Sequence, residues 1–182
     1  MSKNNKIVVC ADLDSVIANF SSAAAKRLNL QLPKNSILPE TYLYDQVNSK
    51  SFFWSKIRGY DFWANEILPY EWSKDLIKVI DDNVENWIFL SKPSCDSDCL
   101  KAKYDWVKKH FKLERKLWLA TNNKEFFSGP NKILIDDKKD TCEKWAKAGG
   151  WAWHWPEMTE DIDRKEIDDR LEKLDKFLKS FN

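Results

Sequence analysis

Five short apolar runs, four of them leading into polar residues and most followed by a stretch of helical periodicity, constrain this chain more than any other feature. The runs are KIVVCA (6–11), WIFLS (87–91), KLWLA (116–120), KILID (132–136) and WAWHW (151–155). Near-continuous apolar runs of this length read as strands buried on both faces. Helical spacing is read over 16–29, with Val16, Ile17, Phe20, Ala24 and Leu28 on one side. It recurs over 74–83 (Leu76, Ile77, Val79, Ile80), 97–111 (Leu100, Tyr104, Val107, Phe111), 140–148, and 161–181 (Ile162, Ile167, Leu171, Leu174, Leu178, Phe181). Ser97 or Asp96 suits an N-cap, and Gly149-Gly150 suits a helix stop. Strand–helix alternation predicts an α/β fold: a three-layer, Rossmann-like parallel sheet with helices on both faces. The alternating Trp151, Trp153 and Trp155 are expected to turn one face to the core.

Such sheets bind ligands beyond the carboxyl ends of their strands. Four polar groups fall there: Asp12 with Asp14, Ser91, the segment Thr121–Lys124, and Asp136 with Asp137. Either aspartate pair alone could be a turn or a cap. Together, at two strand ends, they would repel strongly without a cation among them. Hard oxygen ligands in small number suit Mg²⁺ with room for water and phosphate; calcium would want more oxygens.

The order strand–DxD, strand–Ser, Lys, strand–DD resembles the haloacid dehalogenase-like phosphohydrolases over nearly the whole chain. Within them, DLDSVIANF (12–20) is similar to the DxDGVxADF motif of the 5'(3')-deoxyribonucleotidases. FLSKPS followed by KYDWVKKHF is similar to their TSP segment and KYxWVxKxFG, and NNKEFFSGPNKILIDD to RDKxxxxADLLIDD. The resemblance implies Asp12 as nucleophile and Asp14 as general acid and base. It implies Ser91 as a donor to a phosphoryl oxygen and Lys124 as the charge that offsets phosphate and Asp12. Asp136, with Asp12 and the backbone carbonyl of Asp14, would bind Mg²⁺, supported by Asp137. Read without the resemblance, Ser91 could merely end a strand, Lys124 has rivals in Lys132 and Lys92, and Thr121, Asn122 and Asn123 fit a polar loop. Ser15 stands where the motif has Gly, and Asn19 where it often has Asp; Ser15 is strained if its φ is positive.

Residues 30–73 shift in composition, with Pro33, Pro39, Pro69 and ten aromatic residues among polar turns. They suggest a small helical cap inserted after the first strand, assigned to 20–73, over a core of 1–19 and 74–182. Aromatic faces stack on nucleobases. Phe20 matches an aromatic of the base pocket, and Tyr42 or Tyr44 and Phe62 or Trp63 are further candidates. Lys92 is placed beside the phosphate. For most of these rings the cap's own core is the competing reading.

With 30 basic and 29 acidic residues the chain carries a net charge of +1. That disfavours an extended nucleic-acid footprint or an anionic membrane as partner and leaves a small anionic ligand open. No stretch approaches membrane-spanning length, and MSKNNK leads into a strand without the apolar segment of a signal peptide, so a cytoplasmic setting is expected. Cys10 and Cys142 read as small buried hydrophobes. Cys95 and Cys99 lack the partners of a zinc site, and their pairing stays open. His110 and His154 read as packing or surface residues. The expectation is a Mg²⁺-dependent phosphatase acting on (deoxy)nucleoside monophosphates, a homodimer being left open. The alternatives are another small phosphomonoester, a nucleic-acid 3'-phosphate end, or a silent binding protein, which would be expected to lack Asp12 or Asp14.

Overall fold

The computed structural model describes residues 6–119 and 123–181. Ala120, Thr121 and Asn122 lie outside the described residues. Five strands, β1 (Val8–Ala11), β2 (Asn86–Ser91), β3 (Leu117–Leu119), β4 (Lys132–Asp136) and β5 (Trp151–His154), pair in parallel in the order β3-β2-β1-β4-β5. This is the α/β doubly covered sheet that the alternation predicts. Ala11 lies level with Phe89 on one side and Ile135 on the other. The register therefore delivers Asp12, Ser91 and Asp136 to the same end of the sheet.

Successive residues of a strand face opposite sides, and the two sides are covered differently. Val9, Ala11, Phe89, Ile133 and Ile135 face the larger apolar cluster. It includes Leu76 and Ile80 of α4 (Ser73–Asn83), Trp106 and Val107 of α5 (Asp98–Phe111), and Leu171, Leu174 and Leu178 of α7 (Arg164–Lys179). Cys10, Leu90 and Leu134 face a smaller cluster plugged by Trp145 of α6 (Lys139–Lys147). Gly150 keeps that plug seated: a Cβ there would meet Trp145 and Ser128 well inside contact distance. Gly149, at φ +97, supplies the left-handed turn after α6.

Several elements differ from the sequence reading, each for a local reason. The first helix, α1 (Phe20–Leu28), starts at Phe20 rather than at 16. Ser15 at φ +63 breaks helical geometry, and the Leu13 carbonyl instead accepts from Val16, Ile17 and Ala18 in a tight turn. Asn19 then caps α1 through Ser22 N at 3.2 Å. On α5 the buried stripe is Cys99, Ala102, Lys103, Trp106 and Val107, while Leu100 and Tyr104 are 45% and 44% exposed. Two neighbouring faces share the same spacing, and Trp106 decides which one is covered. Because β5 is an edge strand, Trp151 is exposed, Trp153 rests on Phe177, and only Trp155, past the strand, is buried. Helix α7 begins at Arg164 behind the cap Asp163, so Ile162 and Phe181 pack on the core from outside it.

Residues 30–73 contribute α2 (Tyr42–Val47), α3 (Lys50–Lys56) and a π-helical turn at Phe62–Glu66. With Phe20 they build an aromatic cluster in which Phe20 meets Phe62 edge-on at 5.8 Å and Tyr44 meets Phe53 at 4.7 Å. Arg27 clamps it from α1, pairing with Glu66 and lying 5.0 Å over the Phe62 ring. The large apolar cluster runs unbroken from the sheet into these elements. The four cysteines are free, Cys95 exposed and Cys99 buried. Among the described residues no helix is long and apolar enough to cross a membrane.

Candidate active site

Strand β1 points into the turn Asp12–Asn19, and that turn fixes the first two carboxylates. Asp12 N donates to Ile135 O at 2.8 Å, tying the start of this turn to β4. Leu13 N donates to Asp12 Oδ1 at 2.8 Å. One residue beyond Ile135, β4 ends on Asp136, followed by Asp137. One carboxylate oxygen from each of Asp12, Asp136 and Asp137 lies within 4.8 Å of the others, all three buried. Lys124 Nζ bridges Asp12 Oδ1 at 2.8 Å and Asp136 Oδ2 at 2.7 Å. Lys138 N donates to Asp136 Oδ1 at 2.9 Å. His154 Nε2 meets the Asp137 carbonyl at 2.9 Å.

A second cation anchors the other half. Lys103 reaches from α5, almost wholly buried, and its Nζ lies 2.6 Å from Asp14 Oδ2, 2.8 Å from Ser91 Oγ and 3.2 Å from Lys92 O. The Trp63 ring lies 5.3 Å from the same ammonium. Three of the four carboxylates, Asp12, Asp14 and Asp136, are thus in contact with two lysines. Burial works to raise Asp12, yet Lys124 and Lys103 hold its carboxyl below the usual range. Burial wins at Asp136, which is raised, and more so at Asp137, where Asp136 and Asp12 add their repulsion. Asp137 makes no ion pair among the described residues, although Lys138 offsets part of the repulsion. Lys124 is held firmly protonated by Asp12 and Asp136 against the pull of burial. Buried carboxylates crowded to within a cation's reach, two of them raised by burial and by their neighbours' charge, form a donor set that fits a hard divalent ion.

No protein-family model and no curated protein sequence matches this chain. Solved structures do. A haloacid dehalogenase-like family hydrolase from Xanthomonas campestris aligns over 100% of this chain and 97% of its own, at 10% identity and a TM-score of 0.53. The HAD-hydrolase YfnB from Bacillus subtilis, solved bound to magnesium, aligns over 95% and 98% at 13% identity and a TM-score of 0.52. The fold is that of the haloacid dehalogenase-like hydrolases. In this fold the cluster stands at the carboxyl edge of the central strands, where the register of β1, β2 and β4 delivers it.

Above the carboxylates the core opens into a cavity of about 260 Å³. Of the residues singled out from sequence, Asp12, Asp14, Lys124, Asp136, Asp137, Lys92, Phe20 and Tyr44 line it. Ser91 is buried beneath, joined through Lys103. Tyr42, Phe62 and Trp63 do not line it. Tyr42 turns its hydroxyl toward Gln31 O at 3.4 Å. Phe62 is 0% exposed in the cap core, and Trp63, 2% exposed, supports Lys103 and donates to Asp96 Oδ2 at 3.3 Å. Their spacing on the π-helical turn aims them inward, under Phe20 rather than beside it. The open aromatic wall is instead Phe20, Tyr44 and Trp54, backed by Leu43 and Phe53. The rival Lys132 points away, donating to Phe127 O at 2.6 Å. Asn123 lines the cavity, whereas Thr121 and Asn122 lie outside the described residues.

Sequence reasoning missed Lys103, Trp54 and Glu157. Lys103 carried a signal: it is a lysine on the stripe shared by Cys99, Ala102 and Trp106, and a charge on a buried stripe must find a counter-charge. Trp54 had only its place among many aromatics. Glu157, half-buried on the cavity wall, accepts from Ser15 Oγ at 2.9 Å. Burial pushes its carboxyl up to about 7.

Proposed function

We propose that this protein is a magnesium-dependent phosphatase that releases inorganic phosphate from (deoxy)nucleoside monophosphates. The observation that carries the reading is the joining of Asp12, Asp14, Asp136 and Asp137 with Lys103 and Lys124 at one sheet edge, under a cavity with an aromatic wall. In this reading Asp12, ionised because Lys124 and Lys103 favour its charge, attacks phosphorus and forms an aspartyl-phosphate. Asp14 passes a proton to the departing ester oxygen, then takes one from the water that hydrolyses the acyl phosphate. Ser91 and Lys103 form one donor pair for the phosphoryl oxygens. An arriving phosphate competes with Asp14 for the Lys103 ammonium, and the freed Asp14 carboxylate takes up a proton from solvent, which is the proton it then gives to the departing oxygen. Asp12, Asp136, Asp137 and the backbone carbonyl of Asp14 are the groups we propose to hold Mg²⁺, whose charge would let a carboxylate approach a phosphate dianion. YfnB, which shares the fold, was solved with magnesium bound.

The substrate class rests on the cavity wall. Phe20, Tyr44 and Trp54 line the cavity and would supply aromatic surface to a planar group joined to the phosphate. Residues 20–73 act as the cap that carries the wall, over a core of 1–19 and 74–182. The ligand is a small molecule, since a cavity of about 260 Å³ admits little more. A phosphate-release screen over 5'- and 3'-nucleotides, sugar phosphates and an aryl phosphate, each with Mg²⁺ or with chelator, tests the proposal. Nucleotide turnover with Mg²⁺ and none with chelator is expected. Metal-independent turnover, or no nucleotide turnover beside brisk turnover of sugar phosphates, would contradict it.

A further inference from the structure

The two positions where the DLDSVIANF turn departs from the motif it resembles, Ser15 and Asn19, reach into the same neighbouring segment. Ser15 Oγ donates to Glu157 Oε1 at 2.9 Å, and Asn19 Nδ2 donates to Glu160 Oε2 at 3.1 Å. Glu157 and Glu160 belong to the stretch that follows β5, and that stretch is itself tied down at several points. Trp155 N donates to Asp136 O at 2.9 Å, Leu38 N to Glu157 O at 2.8 Å and Thr159 N to Ser36 O at 2.9 Å. The Tyr70 hydroxyl donates to Met158 O at 3.0 Å. The stretch is a fixed post joined to the metal-cluster strand on one side and to the cap linker on the other.

We propose that Glu157 and Glu160 are positioning residues that hold the Asp12–Asn19 turn, and with it the Asp14 carboxylate, by gripping Ser15 and Asn19. The chemistry of both departures fits this. At φ +63, Ser15 occupies the left-handed region that favours glycine, and such a conformation persists where surrounding bonds over-determine it. Glycine there would need no such support and could not form the bond to Glu157. Aspartate at 19 would face Glu160 charge to charge, whereas Asn19 gives it a donor while its Oδ1 caps α1. Both substitutions thus turn a position beside an acidic residue into a hydrogen-bond donor. Asp14 sits directly before Ser15, so any slack at Ser15 moves the carboxylate that must meet both Lys103 and the ester oxygen. The kinetic half of this claim rests on the phosphatase reading; the conformational half does not.

Hydrogen exchange read by mass spectrometry, on wild type, Glu157→Ala, Glu157→Gln and Ser15→Gly in chelator, tests it without activity. Exchange over residues 13–19 is expected to rise about fivefold or more in Glu157→Ala and Ser15→Gly, with α7 unchanged. Gln keeps an acceptor for the Ser15 hydroxyl, so Glu157→Gln should exchange as wild type does. Unchanged exchange over 13–19 in Glu157→Ala, or a rise spread through α7 and the sheet, overturns the proposal. With a substrate in hand, Glu157→Ala should lower kcat about tenfold with KM within about twofold, and Gln should recover most of the loss. Faster local exchange with kcat untouched overturns the link to Asp14. The expected exchange pattern with no phosphate released by wild type would sink the phosphatase reading and leave the positioning claim standing.

Discussion

Lys103 is the residue on which the chemistry turns most sharply. A buried ammonium is costly unless charge surrounds it, and here it touches Asp14, Ser91 and the Lys92 carbonyl together. Lys103→Met keeps much of the side chain's volume and removes the charge. It is expected to lower kcat about 10²–10³-fold, the usual cost of deleting one preorganised donor to a developing anion. Steady-state phosphate release measures it; a loss confined to KM would argue that Lys103 only recruits substrate. Glu157 supports a second prediction, on stability. Its folded-state carboxyl titrates near 7 against an ordinary 4.5, so the folded chain holds the proton more tightly than the unfolded one. A raised carboxyl contributes stability that is whole below the unfolded value and lost as pH climbs from about 4.5 to 7. The full shift would correspond to about 3 kcal/mol; relaxation and solvent at this partly exposed group reduce it to about 1–2. Glu157→Gln should therefore raise the melting temperature by about 2–6 °C at pH 8 and leave it near wild type at pH 4. Thermal scans in chelator check this, and equal shifts at both pH values would count against it.

At the scale of elements, the cap makes a distinction that sequence did not. Aromatic residues in 40–63 are indistinguishable as letters, and two kinds of position compete for them. Phe62 and Trp63 sit on a π-helical turn whose side chains enter the core, while Tyr44 and Trp54 stay on the cavity wall because α2 and α3 pack edge-on through Phe53. No periodicity announces a single π-helical turn, so the choice between Phe62, Trp63 and Trp54 was illegible. The consequence is testable with Trp54→Ala. Truncating a wall ring should raise KM for nucleotides about 5–50-fold, from stacking worth about 1–3 kcal/mol per base, and barely alter KM for a small aryl phosphate. Equal effects on both substrates would remove base stacking from the account. Trp63→Ala is not the equivalent probe, since its ring supports Lys103 and fills the core. Helix α5 teaches the complementary lesson. Its span was readable from periodicity, but its buried face was misjudged by one position, because Lys103 obeys the site's electrostatics rather than the pattern of apolar residues.

At the scale of the whole molecule, most of what mattered was legible for one reason. A parallel sheet buried on both faces needs apolar runs, and the residues just past those runs must fall along one edge. KIVVCA and KILID therefore announce both their strands and the meeting of Asp12 with Asp136, 124 positions away. Segments whose shape depends on single dihedral angles or long-range bonds stayed hidden. The turn at Ser15 mimics the start of a helix in sequence, and the stretch after β5 gains its role only through contacts to Ser15, Asn19 and the cap linker. The central claim is that this convergence makes Asp12 a nucleophile toward phosphorus. Acid quench during turnover with Mg²⁺, followed by peptide mapping, reads it directly. The account predicts one phosphoryl group on the peptide carrying Asp12, absent with chelator and absent in Asp12→Asn, which should also lose at least about 10³-fold in phosphate release. Sustained magnesium-dependent turnover by Asp12→Asn, or a phosphoryl group trapped on some other residue, would contradict it.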